Sequence, residues 1–286
     1  MTGEAFPGYL PYPTVARDIS TTLPGVRIVA IVRDPLQRAL SSYHYNYVRP
    51  ALEMIRKNKV PRIPAGKSDE YYKANYLFSF EEMAQAELTL LKECLAVGGE
   101  AQSAAKETYK SWFEQQFAFR EANDLPALRD VELCYGAQVS ETVPRKQWIE
   151  LVNSHPKYII NTPNFQLTEA IVGRGLYVTA LEWWYAIFPK EDVHVICLEQ
   201  LNNGTKAMDD LTSFLGLPTY NFSDTLATGF YNVEGHEGYD TLTTEETTTT
   251  HDDIEVSESL RQELLDFFAP YNEQLFGLIG KRCSWQ

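Results

Sequence analysis

An α/β fold built on a parallel sheet is predicted by three observations. The run Arg27–Val32 is continuous, apolar and rich in β-branched residues, as in a strand buried on both faces. A second run of this kind lies in "DVHVICL". Each run is followed by a segment with helical spacing, and strand–helix–strand–helix alternation is the signature of a parallel sheet.

The elements follow in order. After the first strand, Pro35 stands where a first helical residue tolerates proline, with Asp34 before it as an N-cap. Leu36, Leu40, Tyr43 and Tyr47 then recur at i, i+4, i+7 and i+11 and share one apolar face. Arg38 and Ser41 fall on the other face. Residues 49–160 read as a long, mostly helical insertion carrying "FEEMAQAELTLLKECLAV" and "SAAKETYKSWFEQQFAFREAN". Its first part, "RKNKVPRIPAGKSDEYY", reads as a loop. A helix is predicted from about Tyr177 to Ile187, stopped near Pro189, and another in "GTKAMDDLTSFLGLP", ended by Gly216 and Pro218. The polar stretch "TLTTEETTTTHDD" has nothing to bury and reads as a surface loop. The end of the chain reads as an amphipathic helical pair, or one helix kinked at Pro270. No solenoid repeat is present.

Composition narrows the function. The 286 residues suffice for one large domain or two small ones. A formal net charge of −14 and a pI near 4.8 argue against general nucleic-acid binding, which needs a basic face. One local basic cluster exists, Arg56, Lys57, Lys59, Arg62 and Lys67, and its ordinary reading is a solvated loop. No apolar run is long enough to span a membrane, and "MTGEAFPGYLPYP" lacks the charged and apolar regions of a signal peptide. Cys94, Cys134, Cys197 and Cys283 form no CxxC pair, so no zinc or other metal site is expected. Cys197 reads as a small core residue, while Cys94 and Cys134 are candidates to pair in an oxidising compartment. Glycosylation sequons occur at Asn203 and Asn221, a hint of a lumenal location.

Arg33 is the residue with chemical promise. It stands at the carboxyl end of the first strand, where open α/β sheets place ligands. A guanidinium beside a helix N-terminus matches phosphate oxygens, and the Ser41 hydroxyl on that helix adds a hydrogen-bond donor. The competing reading is that Arg33 pairs with a surface carboxylate such as Asp34 or Glu199.

Four blocks now carry a resemblance: "GEAFPGYL", "LPGVRIVAIVRDPLQRALSSY", "GRGLYVTALEWWYAIFPKEDVHVICLEQL" and "LTSFLGLP". Their order and content resemble the sulfotransferase domain, in particular the carbohydrate branch that includes the heparan sulfate sulfotransferases. The likeness covers about Gly3–Tyr47 and Thr162–Leu217, with a looser match in the C-terminal helix.

The resemblance implies a P-loop NTPase-like three-layer fold with a parallel central sheet. The expectation is a single such domain over 1–286, in which the helical insertion at about 49–160 lies outside the likeness and a closing helical element is read at about 256–280. The resemblance also implies sulfuryl transfer from 3′-phosphoadenosine 5′-phosphosulfate (PAPS) to a hydroxyl or amine of a carbohydrate-type acceptor, without a metal. Arg33 and Ser41 match the family's ligands for the 3′-phosphate of that co-substrate. Gly238 and Tyr239 match part of a loop that closes over the nucleotide, where Tyr239 would stack on adenine or serve as an ordinary turn tyrosine. His44 and His236 are candidate bases, each against a structural reading.

The chain departs from the pattern at its start. The family's lysine-bearing loop for the 5′-phosphosulfate lies upstream of the block with which this sequence opens. The expectation is therefore an N-terminally truncated domain with weak or no turnover by itself, and a Golgi-lumenal address through an anchor outside this chain. Two alternatives stand beside it: a non-catalytic nucleotide-binding or interaction module derived from a sulfotransferase, and a small-molecule kinase, which the absent phosphate-loop lysine disfavours.

Overall fold

The computed structural model describes residues 2–6, 8–11, 13–60, 62–97, 118, 120–122, 124, 125, 127, 157, 171–201, 205–223 and 254–285. In chain order the elements are α1 (Pro13–Thr22), β1 (Ile28–Val32), α2 (Pro35–Ser42), a π-helical turn (Tyr43–Val48), α3 (Arg49–Arg56), α4 (Asp69–Tyr76) and α5 (Phe80–Val97). A 3₁₀ turn (Gly173–Gly175), α6 (Tyr177–Ile187), a second 3₁₀ turn (Lys190–Asp192), β2 (Val193–Cys197), α7 (Leu198–Leu201), α8 (Lys206–Leu215) and α9 (Glu258–Ile279) complete them. The fold is mixed α/β, mostly helical, with β1 and β2 paired in parallel. The chain divides into a sheet unit (Met1–Asp34, Ala180–Asp253, Glu273–Gln286) and a helical unit (Pro35–Thr179, Ile254–Asn272).

In the sheet unit, β1 and β2 run from Ile28↔Val193 to Val32↔Cys197 in register. Facing partners in a parallel pair share a side of the sheet. Ala30, Val32, Val193, Val195 and Cys197 lie on one side and are all buried. The other side is uneven. Ile196 is buried there, whereas Val29 is 36% and Ile31 54% exposed. This corrects the expectation that the first strand is buried on both faces. The cause is what covers each strand: on β2, His194 stacks on Phe214 of α8, ring centroids 5.0 Å apart. Nothing comparable covers Val29 and Ile31 among the described residues. Arg27 also lies over the Phe214 ring, 5.5 Å from its centroid, and donates to the Phe214 carbonyl. Helix α8 stops as expected at Gly216, whose φ of +66° is the left-handed conformation that glycine adopts without a Cβ clash.

Cys197 closes a disulfide with Cys283, Cα atoms 5.5 Å apart across 86 residues. It is buried as expected, but it is not a lone core thiol. The end of β2 and the C-terminal tail meet here, a proximity that no sequence spacing encodes. Cys94 and Cys134 lie outside what is described of the side chains. The tail is also held by Trp285, which packs on Phe276 at 5.2 Å. Trp184 of α6 donates its indole N–H to the Leu10 carbonyl at 2.9 Å and stacks on Phe188, fixing the N-terminal segment.

The helical unit is built on the predicted stripe. Leu36, Leu40, Tyr43 and Tyr47 are all buried. The stripe continues through the π turn into Ala51, Leu52 and Ile55 of α3. Two of its tyrosines hold the backbone of one residue: Tyr43 donates its hydroxyl to the Phe78 carbonyl at 2.7 Å, and Tyr47 Oη accepts the Phe78 N–H at 2.8 Å. Burial raises the Tyr43 pKa, which keeps this phenol a donor. Ser79 and Glu82 then start α5 with reciprocal bonds: Ser79 N–H to Glu82 Oε2 at 2.7 Å, Glu82 N–H to Ser79 Oγ at 3.1 Å. Predicted as a helix, "FEEMAQAELTLLKECLAV" coincides with α5. The preceding stretch is not all loop. Ser68 caps α4 by accepting the Tyr71 N–H at 3.3 Å, and Asp69 and Glu70 sit in its first turn.

Helix α9 adds Leu260, Leu264, Phe267 and Phe268 to this core. It is a single helix and runs through Pro270. The carbonyl that loses its donor there belongs to Asp266, and both residues are exposed. Water can therefore satisfy the freed carbonyl. Gly175 is required by close packing, since a Cβ there would lie 2.9 Å from Phe268 Cε1 and 3.0 Å from Pro35 Cβ.

Candidate functional site

Arg33 follows β1 directly, at the same end of the sheet where α7 begins after β2. Its Nε is buried and has no hydrogen-bond partner. Among the described residues the side chain makes no hydrogen bond or ion pair. Of the two carboxylates named as its competitors, Glu199 is committed elsewhere. Glu199 Oε1 accepts the Asp34 backbone N–H at 3.0 Å, and Oε2 accepts the Trp285 indole N–H at 3.0 Å. A buried guanidinium nitrogen without an acceptor carries a desolvation cost that an incoming anion removes. The residues present thus suit a phosphate at this strand end.

Ser41, in the helical unit, is half-buried, and its hydroxyl is unbonded among the described residues. Its neighbour Ser42 accepts from Asn46 Nδ2 at 3.0 Å and is used by the helix itself. Of the two serines, Ser41 is the one left available. Arg38, on the polar side of α2, is used structurally and donates to the Ile171 carbonyl. His44 is buried within the π turn and packs edge-on against Tyr45 at 5.2 Å. Gly238, Tyr239 and His236 lie outside the described residues.

Three members of the basic cluster have local partners. Arg56 meets Asp69 at 2.5 Å, Lys57 meets Glu53 on the next turn of α3, and Lys67 lies over the Tyr71 ring.

Sequence reasoning missed Glu87. Its Oε2 accepts the N–H groups of Ile171 and Val172 at 2.9 Å, and its Oε1 accepts that of Gly173 at 2.8 Å. Burial pushes this carboxyl above the ordinary carboxylate value, against the opposing pull of the three N–H groups and Arg38. The carboxylate locks the segment leading into the Gly173–Gly175 turn, and so fixes the backbone that carries Arg174. A signal was present. Phe80, Ala84, Leu88 and Leu91 form the buried stripe of α5, and Glu87 is a charge seven residues after Phe80, on that same stripe.

No family model matches the chain. Among curated proteins it is similar to the membrane-associated sulfotransferase kil1 of Dictyostelium discoideum, with 21% identity over 300 residues. That alignment takes in 100% of this chain and 53% of the relative. Among solved structures, a sulfotransferase from Alicyclobacillus acidocaldarius aligns over 96% of this chain and 63% of its own, with 18% identity and a TM-score of 0.43. Both similar proteins are sulfotransferases. The chain spans about half the length of the curated relative it matches. The alignment with that relative includes residues 49–160, which the four sequence blocks leave out. The relative is named membrane-associated, and among the described residues no helix here is long and apolar enough to cross a membrane.

Proposed function

We propose that the chain is part of a sulfotransferase that moves a sulfuryl group from PAPS to a hydroxyl or amine of a carbohydrate-type acceptor. The observation that carries this reading is the free Arg33 guanidinium at the end of β1, with its buried Nε unpartnered and Glu199 engaged elsewhere. The similarity of the whole of this chain to about half of a sulfotransferase supports the reaction class.

In this reading Arg33 and Ser41 hold the 3′-phosphate and so select the doubly phosphorylated nucleotide over one lacking that group. The acceptor oxygen or nitrogen forms a bond to sulfur as the sulfur–oxygen bond to the nucleotide breaks, and the acceptor proton passes to a base. Adenosine 3′,5′-bisphosphate leaves. Charge develops on the departing oxygen, so positioned cations and N–H groups stabilise the transition state. Outside the described residues, Tyr239 and Gly238 are proposed to close over the adenine. A lumenal, Golgi-type compartment is part of the proposal, and the buried Cys197–Cys283 disulfide supports it.

The test is calorimetric binding of PAPS by the chain and by its Arg33→Ala variant, beside transfer of radiolabelled sulfate to a panel of glycan acceptors. Binding weakened at least about tenfold in the variant is expected, with weak or no transfer by the chain by itself. Equal binding by both would overturn the assignment of Arg33.

A further inference from the structure

We propose that Asn221 carries an N-linked oligosaccharide, an inference that rests on the lumenal part of the proposed function.

Asn221, Phe222 and Ser223 form the acceptor triplet, with no proline at its centre. The triplet lies on the segment that leaves α8 after Gly216 and Pro218. The rings of Tyr220 and Phe222 pack edge-to-face at 4.9 Å, and Asn221 between them is exposed. Ser223 is exposed as well. The fold therefore leaves both the residue to be modified and the hydroxyl residue of the triplet in water.

The two ends of the Asn221 amide have different duties. Oδ1 accepts the Ser223 backbone N–H at 3.0 Å, closing a local turn. Nδ2 has no partner among the described residues. N-glycosylation uses Nδ2 and leaves the carbonyl oxygen in place, so the turn survives the modification. The fold asks nothing of the atom that would bear the sugar.

In the reaction, Nδ2 bonds to the anomeric carbon of an oligosaccharide carried on a polyprenyl pyrophosphate. The bond from that carbon to the pyrophosphate oxygen breaks, the lipid pyrophosphate leaves with the electron pair, and one amide proton passes to a base of the transferase. No oxidant or reductant is needed. A second observation supports an address of the kind where this donor is found. Cys197 and Cys283 are bonded to each other in the core of the same unit, a linkage that persists in oxidising compartments.

The experiment expresses the full chain in eukaryotic cells behind a cleavable secretory leader and maps the peptide bearing Asn221 by mass spectrometry. Peptide N-glycosidase treatment is expected to remove a glycan and convert Asn221 to aspartate. Mapping by peptide separates this site from the triplet at Asn203. Ser223→Ala and Asn221→Gln should each abolish the glycan, and Ser223→Thr should keep it. Secretion of all three variants at the parent's level shows that folding is intact. An unmodified Asn221 in the secreted parent chain overturns the proposal, as does a glycan that persists at this site in Ser223→Ala. The state of Cys197 and Cys283 in the same map reports separately on the disulfide: if they are reduced in the secreted chain, the support that this bond lends to the lumenal reading fails whatever Asn221 carries.

Discussion

Glu87 and Gly173 are joined by a backbone-to-carboxylate hydrogen bond of 2.8 Å, the shortest of three that fasten α5 to the turn before α6. Glu87→Ala removes the acceptor from three amides at once. Buried amides left unpaired cost about 1–3 kcal/mol each, so a loss of about 2–4 kcal/mol is expected after partial rehydration. Glu87→Gln should also destabilise, because its amide nitrogen cannot accept. The pH dependence has a definite sign. The carboxyl is raised in the fold by burial, so folding favours its protonated form. That contribution is complete below the ordinary carboxylate pKa and fades as pH rises through the raised value. Urea titrations of parent and Glu87→Gln across this window should show the parent's advantage shrinking with rising pH.

Arg33→Ala should weaken binding of adenosine 3′,5′-bisphosphate by about 2–3 kcal/mol, the scale of charge-assisted contacts to phosphate. Ser41→Ala should cost less, about 1.5 kcal/mol, the lower end for a hydrogen bond to a charged acceptor. Calorimetry with adenosine 5′-monophosphate supplies the control. Both variants should bind it like the parent if the two side chains serve the 3′ group.

Gly175→Ala should lower stability by about 1–3 kcal/mol, the usual cost of overpacking. The new methyl would press on the Phe268 ring and on Pro35 Cβ, and proline has little room to yield. The paired substitution Phe268→Leu, which clears part of the space, should recover some of the loss. Thermal unfolding of the single and double variants measures this coupling.

His194 titrates below the ordinary imidazole value of 6.5, chiefly through burial and secondarily through Lys281, with Asp210 pulling the other way. The fold favours the neutral ring, so this contribution is full above 6.5 and is lost as pH falls through the lowered value. His194→Phe keeps an aromatic ring against Phe214 and cannot charge. Its unfolding midpoint should therefore fall less than the parent's on acidification across that range.

What the sequence disclosed was mostly local. Helices α5 and α6 match their predicted spans, because apolar spacing and the proline stop are written in consecutive residues. The stripe from Leu36 to Tyr47 was legible for the same reason, and it survived a π turn that spacing alone did not foretell. The strand β1 was legible as an element, yet the exposure of Val29 and Ile31 was not, since that depends on what packs above them. The Cys197–Cys283 bond and the three amides held by Glu87 were hidden because their partners lie far off in sequence. Arg33 could be picked out by its place at a strand end. That Glu199 is occupied by Asp34 and Trp285 became visible only in three dimensions.

The Cys197–Cys283 bond turns the chain between them into a covalent ring. The threonine- and glutamate-rich stretch 241–253 lies on that ring. A single proteolytic cut anywhere along it would open the ring without releasing a fragment. The nicked molecule would migrate as one species until a thiol reductant parted it in two. Persistence on a non-reducing gel therefore says nothing about whether the backbone is whole, and preparations of this protein need a reduced lane to reveal a nick.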